Sequence, residues 1–421
     1  MSITQSRAQV MSLPQLSIRT FPLTARLSSS TIASALALHI ANGVDNRADL
    51  ARASDLSRTT VAAGIAFLAE RGLLEQSEGG APTGRGRPSD RLRFAPRVGM
   101  VMVIDLGLAT SSISLFAADQ SSVASRFVHL DFARGPELAF PALMEHVEML
   151  LADAGDSHGR VELCVTAVPG PIDGRRGAVN RPPLLPGWES FDLAAALHEA
   201  LDCEVILEKD VNLRALGEAR ALGTDELPLV LVKVAAAIEA GIVLSDGTVY
   251  RGAGGFAGDV GHIATPSATG NLCPCGNTGC LATIASTDAL ATRLSDIKGT
   301  EVDLLEFEQL VRDADPDALQ LFRDGINALG DVLAGLVNFV NPARIVISGA
   351  VTEWNPDILS GVRRTVYDRS LPTTTTRLSV ATPLHGHWSG TGGALTLGIE
   401  RLLSEDQLLA RPVVDDAGSA H

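Results

Sequence analysis

Gly258-Asp259-Val260-Gly261-His262, followed by Cys273-Pro274-Cys275-Gly276-Asn277-Thr278-Gly279-Cys280, is the stretch on which the fold of this chain is decided. Three of the five cysteines fall within eight residues, and His262 stands eleven residues before the first of them. Three thiolates and one imidazole complete a tetrahedral zinc shell and leave no position for a water, the arrangement of a structural site. Pro274, Gly276 and Gly279 let so short a loop turn back onto one ion. The spacing predicts one structural Zn2+ per chain, held by His262, Cys273, Cys275 and Cys280. The bland alternative is three buried thiols that cluster by chance, but free cysteine is scarce and seldom bunched in this way.

Outward from that loop, composition sets the frame. The chain has 421 residues, 46% hydrophobic and 20% charged, enough core for two or three soluble domains. No run of eighteen apolar residues predicts a membrane helix, and the N-terminus has no apolar segment followed by a cleavage site. Cys164 and Cys203 lie in apolar, strand-like runs and read as buried thiols, so the chain is expected in the cytoplasm. The net charge of −15 is unevenly spread. Residues 1–97 carry 12 arginines against 7 acidic residues, while the remainder carries 22 basic against 42 acidic. A head of +5 on a body of −20 is the pattern of a nucleic-acid-binding segment on an acidic domain.

The head has a matching plan. Residues 1–27 lack periodicity and read as a flexible arm. From Ser28, Ile32, Leu36 and Ile40 share one helix face, closed by Gly43. Asn46 reads as an N-cap for a short helix to Ala53, and Ser57 as the N-cap of a helix carrying Val61, Ile65 and Leu68. A hairpin follows, with Gly84-Arg85-Gly86-Arg87-Pro88 at its tip. Helix, helix, turn, helix, hairpin is the winged helix-turn-helix plan over residues 28–97. Ser57, Arg58, Thr59 and Thr60 open the recognition helix and are expected to face base edges. Arg85 and Arg87 on the wing are expected to meet phosphate or a narrow minor groove. A helical module for protein contacts is the competing reading of this segment.

The zinc stretch resembles the signature of the ROK family (repressors, open reading frames and sugar kinases), and the resemblance runs from about Ser28 to near Leu403. It implies an α/β fold: the winged head followed by a two-lobed, actin-like (ribonuclease H-like) sugar-kinase body. Lobe 1 is expected over 98–220 and lobe 2, with the zinc site, over 221–403, its final helix packing back on lobe 1. Residues 404–421 read as a flexible tail.

Several positions depart from the family pattern. The phosphate loop after Asp105-Leu106-Gly107 has Leu108-Ala109-Thr110 where a second glycine, threonine and lysine are expected. The glycine-rich loop after Leu229–Val234 is replaced by Ala235-Ala236-Ala237-Ile238-Glu239-Ala240-Gly241, and without those glycines the backbone is less free to approach a phosphate. Glu239 puts a negative charge where phosphate should sit, with no metal to offset it. Asp210 keeps the position of the general base that deprotonates the sugar, or serves as the cap of the following helix. Lys209 replaces an asparagine beside it, Leu184 an asparagine, Asp259 a glutamate and Ala282 another glutamate of the sugar site.

These readings predict no kinase activity, since phosphoryl transfer rests on positioning and charge neutralisation at the phosphates. They predict a transcriptional regulator of carbohydrate-related genes, a repressor by resemblance, working as a homodimer or homotetramer on double-stranded operator DNA. A sugar or sugar derivative would be held by Gly170, Lys209, Asp210, Asp259 and His262, with a phosphorylated or acidic sugar one use for Lys209. An active ATP-dependent sugar kinase and a non-enzymatic scaffold are the alternatives.

Overall fold

A computed structural model describes residues 15–20, 28–77, 91–107, 110–130, 132–173, 178–179, 185–355 and 357–414. Arg85 and Arg87 of the expected wing tip, Leu108, Ala109 and Leu184 lie outside the described residues.

The head opens with three helices, α1 (Ser29–Ala41), α2 (Arg47–Ser54) and α3 (Arg58–Glu70). Each is started by a side chain that accepts from a backbone amide: Ser28 from Thr31, Asn46 from Asp49, Ser57 from Thr60. Such caps satisfy amides that have no intrahelical partner, which is why the helices begin where the sequence placed them. Strands β1 (Leu74–Ser77) and β2 (Arg91–Phe94) then pair antiparallel, Leu74 opposite Phe94 and Ser77 opposite Arg91. This helical segment fits a helix-turn-helix.

The body begins with β3 (Met100–Asp105), β4 (Ser111–Ala117), β5 (Ser122–Val128), α4 (Pro136–Ala154) and β6 (Val161–Val168). A short pair, β7 (Ile172–Asp173) and β8 (Ala178–Val179), precedes α5 (Leu193–Leu201) and β9 (Glu204–Lys209). These strands form one five-stranded sheet in the order β5-β4-β3-β6-β9, with β3, β6 and β9 parallel. The apolar run of β3 is buried along nearly its whole length, as a central strand covered on both faces must be.

Helix α6 (Asp210–Leu222) leads into a second sheet, β10 (Leu229–Val234) and β11 (Ile238–Val243). The zinc stretch follows, then α7 (Ala282–Ala285), α8 (Thr287–Lys298), α9 (Leu304–Arg312) and the long α10 (Pro316–Val340). The chain closes through β12 (Arg344–Ser348), α11 (Val351–Trp354), α12 (Asp357–Arg369), α13 (Pro372–Thr375), β13 (Ser379–Ala381), α14 (Ser389–Leu402) and α15 (Glu405–Ala410). The second sheet runs β11-β10-β12-β13. Its central strands repeat the plan of the first: one antiparallel neighbour on one side, parallel neighbours on the other.

Helix α14 returns from the second half to lie on α6 and on strands β3 and β6 of the first sheet. The two helices cross at Gly217 and Gly393. A Cβ on Gly393 would lie 1.8 Å from the carbonyl oxygen of Leu213, and one on Gly217 2.1 Å from that of Ser389. No side chain fits at so close a crossing.

Two expectations about the chain ends are corrected. Residues 15–20 belong to the packed structure: Leu16 and Ile18 are buried, and the Leu16 and Ile18 amides donate to Gln120 and Asn42. The segment after Ser404 is likewise docked. Glu405 accepts from Ser28, Ser30 and Thr31, which places an anion at the start of α1, where the helix has no acidic residue of its own. Leu408 is buried, and the Val414 amide donates to the Glu70 carbonyl. Both segments carry apolar residues at spacings too short to register as periodicity.

Head and body share one apolar core. Ala33, Leu36, Leu50, Ile65 and Leu68 of the head belong to the same buried cluster as Val101 and Val165 of the first sheet and Leu395, Ile399 and Leu402 of α14.

Candidate functional site

Strand β9 ends at Lys209 and α6 begins at Asp210, so two charged side chains are delivered into the body at one strand-to-helix junction. Both are buried, Lys209 at 1% and Asp210 at 2% exposure. Buried charges persist only when paired, and both are. The Lys209 ammonium lies 3.2 Å from Glu239 and donates to Asp259. Asp210 takes Lys233 at 2.5 Å and faces Arg214, one turn along α6, at 3.8 Å. Arg214 also reaches Asp105 at the end of β3, 3.5 Å away. Glu208 accepts from Asn212 and pairs with Arg251 at 2.6 Å.

The protonation states follow. Burial by itself would raise the Asp210 carboxyl, but Lys233 and Arg214 overcome it and hold the group below its usual range. Burial works against the Lys209 ammonium, yet Glu239 and Asp259 hold its pKa above the ordinary value. Burial raises Asp105 despite Arg214, and burial followed by the nearby Asp210 raises Glu239 despite Lys209.

This corrects the reading of Glu239 as an uncompensated charge: Lys209, the residue that departs from the family pattern beside Asp210, is its partner. The departures at 209, 239 and 259 form one ion-paired group, a buried ammonium between two carboxylates. It also corrects the suggestion that Lys209 is spare for an acidic ligand. The replaced glycine-rich loop is a tight turn, in which Val234 pairs with Ile238 and the Ala235 amide donates to Ala237. Gly241, the one glycine it retains, has a packing role. A Cβ there would lie 2.4 Å from the Val211 carbonyl oxygen, so glycine lets β11 approach α6.

Of the five residues expected to hold an effector, four gather here. Val168 pairs with Lys209 across β6 and β9, and Gly170 follows two residues on, buried. Asp259 closes onto Lys209. His262 lies three residues beyond and turns to the cysteines instead. Sequence reasoning missed Arg214, Lys233 and Arg251. Two signals were available: Lys233 is a lone charge in the apolar run of β10, and Arg214 stands four residues after Asp210 on one helix face.

The cysteine loop is a compact knot. Leu272 bridges Thr278, Ala264 bridges Cys280, the Cys273 amide donates to Asn277 and that of Gly276 to Cys273. The four candidate ligand atoms lie within 4.8 Å of one another. Cys275 Sγ and Cys280 Sγ are 3.7 Å apart, and Cys273 Sγ lies 3.6 Å from His262 Nδ1. A zinc tetrahedron with sulfur arms of about 2.3 Å and a nitrogen arm of about 2.0 Å has edges of about 3.5–3.8 Å. The residues present therefore fit a tetrahedral metal ion.

In the head, Ser57, Arg58 and Thr59 are exposed at the start of α3 and Thr60 is half-buried. The Ser57 hydroxyl lies 2.8 Å from that of Thr59 and 2.7 Å from that of Thr60, so the three hydroxyls form one cluster with Arg58 among them. Arg47 and Arg52 on α2 and Arg91 and Arg93 on β2 are exposed too, Arg52 paired with Asp49 and Arg91 with Asp45.

Comparison with known proteins gives four findings. The ROK family model matches residues 101–401. The xylose repressor of Bacillus spizizenii is 27% identical over 336 residues, which cover 79% of this chain and 85% of that protein. Among solved structures, a ROK family transcriptional regulator described as a homolog of the E. coli MLC protein superposes with a TM-score of 0.73 at 23% identity, covering 91% of this chain and 98% of that one. A ROK hexokinase from Thermus thermophilus gives 0.58 at 29% identity, covering 71% of this chain and 97% of that one.

Proposed function

The chain belongs to the ROK family, and from that membership we propose that it is a DNA-binding transcriptional repressor of carbohydrate-related genes, released by a sugar or sugar derivative bound in a body that no longer phosphorylates. The observation that carries the reading is the charge network at the strand-to-helix junction. A general base must be free to take a proton from its substrate. Asp210 is engaged through Oδ2 by Lys233 and Arg214, which lower its pKa and so weaken it as a proton acceptor. The cations that a nucleotide's phosphates would need are already neutralised by carboxylates. The likeness to the hexokinase extends over 71% of the chain, whereas that to the regulator extends over 91%.

In this reading Ser57, Arg58, Thr59 and Thr60 meet base edges at the start of α3, Arg85 and Arg87 meet the phosphate backbone, and two heads of a homodimer or homotetramer engage two half-sites. Gly170, Lys209, Asp210 and Asp259 line the effector site. His262, Cys273, Cys275 and Cys280 hold Zn2+, which would supply a structural cross-link and no chemistry. That cross-link stiffens the loop bearing Asp259, while β11, on which the loop hangs through the Ala240–Gly258 hydrogen bond, bears Glu239.

The route from effector to head is α14. Its first turn lies against the cleft, where a Cβ on Gly390 would stand 2.9 Å from Asp105 Oδ2; its last turns lie in the core shared with α1 and α3. A ligand that binds two arrangements of the lobes unequally tilts this helix, and with it the heads.

A paired experiment tests the reading. Purified chain is assayed for sugar-dependent ADP release over hexoses, pentoses and amino sugars, and for retention of genomic DNA fragments at low salt. The expected result is no turnover above background together with retained fragments. Turnover that Asp210→Ala abolishes would restore the kinase.

A further inference from the structure

The charges of the candidate effector site restrict what can bind there. Five carboxylates (Asp105, Glu208, Asp210, Glu239 and Asp259) meet four cations (Lys209, Arg214, Lys233 and Arg251). Each cation has a carboxylate within 3.5 Å. Counted with every group ionised, the cluster carries one net negative charge. The imbalance is concentrated at Lys209, which answers two carboxylates and is 1% exposed, while Asp259 is its most accessible partner at 30%. One buried acceptor on the first turn of α6 is also unpaired. Asn212 is 2% exposed, and its amide nitrogen is taken by Glu208, while its Oδ1 is a buried acceptor with no partner among the described residues.

We propose that Lys209, Glu239 and Asp259 form a charge filter that admits polyols that are uncharged or carry an ammonium group, and excludes phosphorylated and carboxylated sugars. This rests on the reading that the cleft holds the effector. A phosphate or carboxylate entering beside Lys209 must displace Glu239 or Asp259 or lie against them. Like charges a few ångströms apart in a poorly solvated site repel strongly. A hydroxyl or ammonium, by contrast, donates to the surplus carboxylate oxygens. The filter also links the departures at 209 and 239: a buried carboxylate at 239 needs the cation that Lys209 supplies.

The test is calorimetric titration of the intact chain with D-xylose, D-glucose, D-glucosamine, D-glucose 6-phosphate and D-glucuronate, alongside the Glu239→Gln/Asp259→Asn double variant. Wild type is expected to bind the two anions on the order of 100-fold more weakly than the tightest-binding of the three other sugars, or not at all. The variant frees Lys209 and is expected to gain at least about tenfold for D-glucose 6-phosphate. Circular dichroism and retained zinc verify its fold, and Asp259→Asn alone, at the more exposed position, replaces it if it does not fold. Wild type that takes D-glucose 6-phosphate as tightly as D-glucose, or a folded variant that gains no anion, overturns the filter. DNA retention is scored separately. A chain with the filter's ligand order but no DNA binding overturns the repressor and leaves the filter standing, and a chain that binds DNA yet prefers sugar phosphates does the reverse.

Discussion

Lys209 is the residue on which the charged junction between β9 and α6 most depends. Its ammonium is buried and answers two carboxylates. Removing one partner of a buried ionic group strands the others, at about 3–5 kcal/mol. Lys209→Met is therefore expected to lower stability by about that amount in urea denaturation, and adding Glu239→Gln to recover part of it; a loss below about 1 kcal/mol would mean that the pairing is not what holds the junction. The cysteine ligands give a second prediction. Metal analysis should find one zinc per chain, and Cys273→Ser should release it and lower the melting temperature. Protein prepared without chelator that contains no zinc contradicts the site. Sequence alone brought out the four residues that could hold a metal ion, because they fall close together along the chain. It disclosed Lys209, Glu239 and Asp259 only as separate departures. Their pairing is made by bringing β9, β11 and the zinc loop together, and no spacing along the chain encodes that.

Elements were legible in proportion to how local their causes are. The caps at Ser28, Asn46 and Ser57 fixed where α1, α2 and α3 begin, and the buried apolar runs fixed β3, β6 and β10. The docking of residues 15–20 and of α15 was not legible, since each is held by distant partners such as Asn42, Gln120 and the start of α1. Helix α1 carries a pH dependence of its own. His39, in its last turn, is 9% exposed, and burial lowers its pKa below the ordinary 6.5. The fold thus holds the neutral ring, while the unfolded chain takes up a proton near pH 6.5. Where the unfolded state binds more protons, stability rises with pH. His39 therefore costs nothing well above pH 6.5 and destabilises the head increasingly below it. Thermal unfolding at pH 7.5 and 5.5 should show a larger drop for wild type than for His39→Gln, and equal drops would remove His39 from the account.

At the scale of the molecule, a basic head and an acidic body share one core, clamped by the segments on either side of them. The body's charge repels DNA, so affinity for DNA has to come from the head. Phosphate contacts make protein–DNA binding fall with salt, while contacts to base edges make it selective. Arg58→Ala is accordingly expected to cost about 1–3 kcal/mol at the preferred site and little on random DNA. The most direct measurement is an anisotropy titration of the intact chain against genomic fragments, including the DNA upstream of its own gene, at low and moderate salt, with and without D-xylose, D-glucose and D-glucosamine. Selective retention that weakens with salt, weakens with Arg58→Ala and is reversed by one of these sugars is the predicted result; a chain that retains no fragment even at low salt contradicts it.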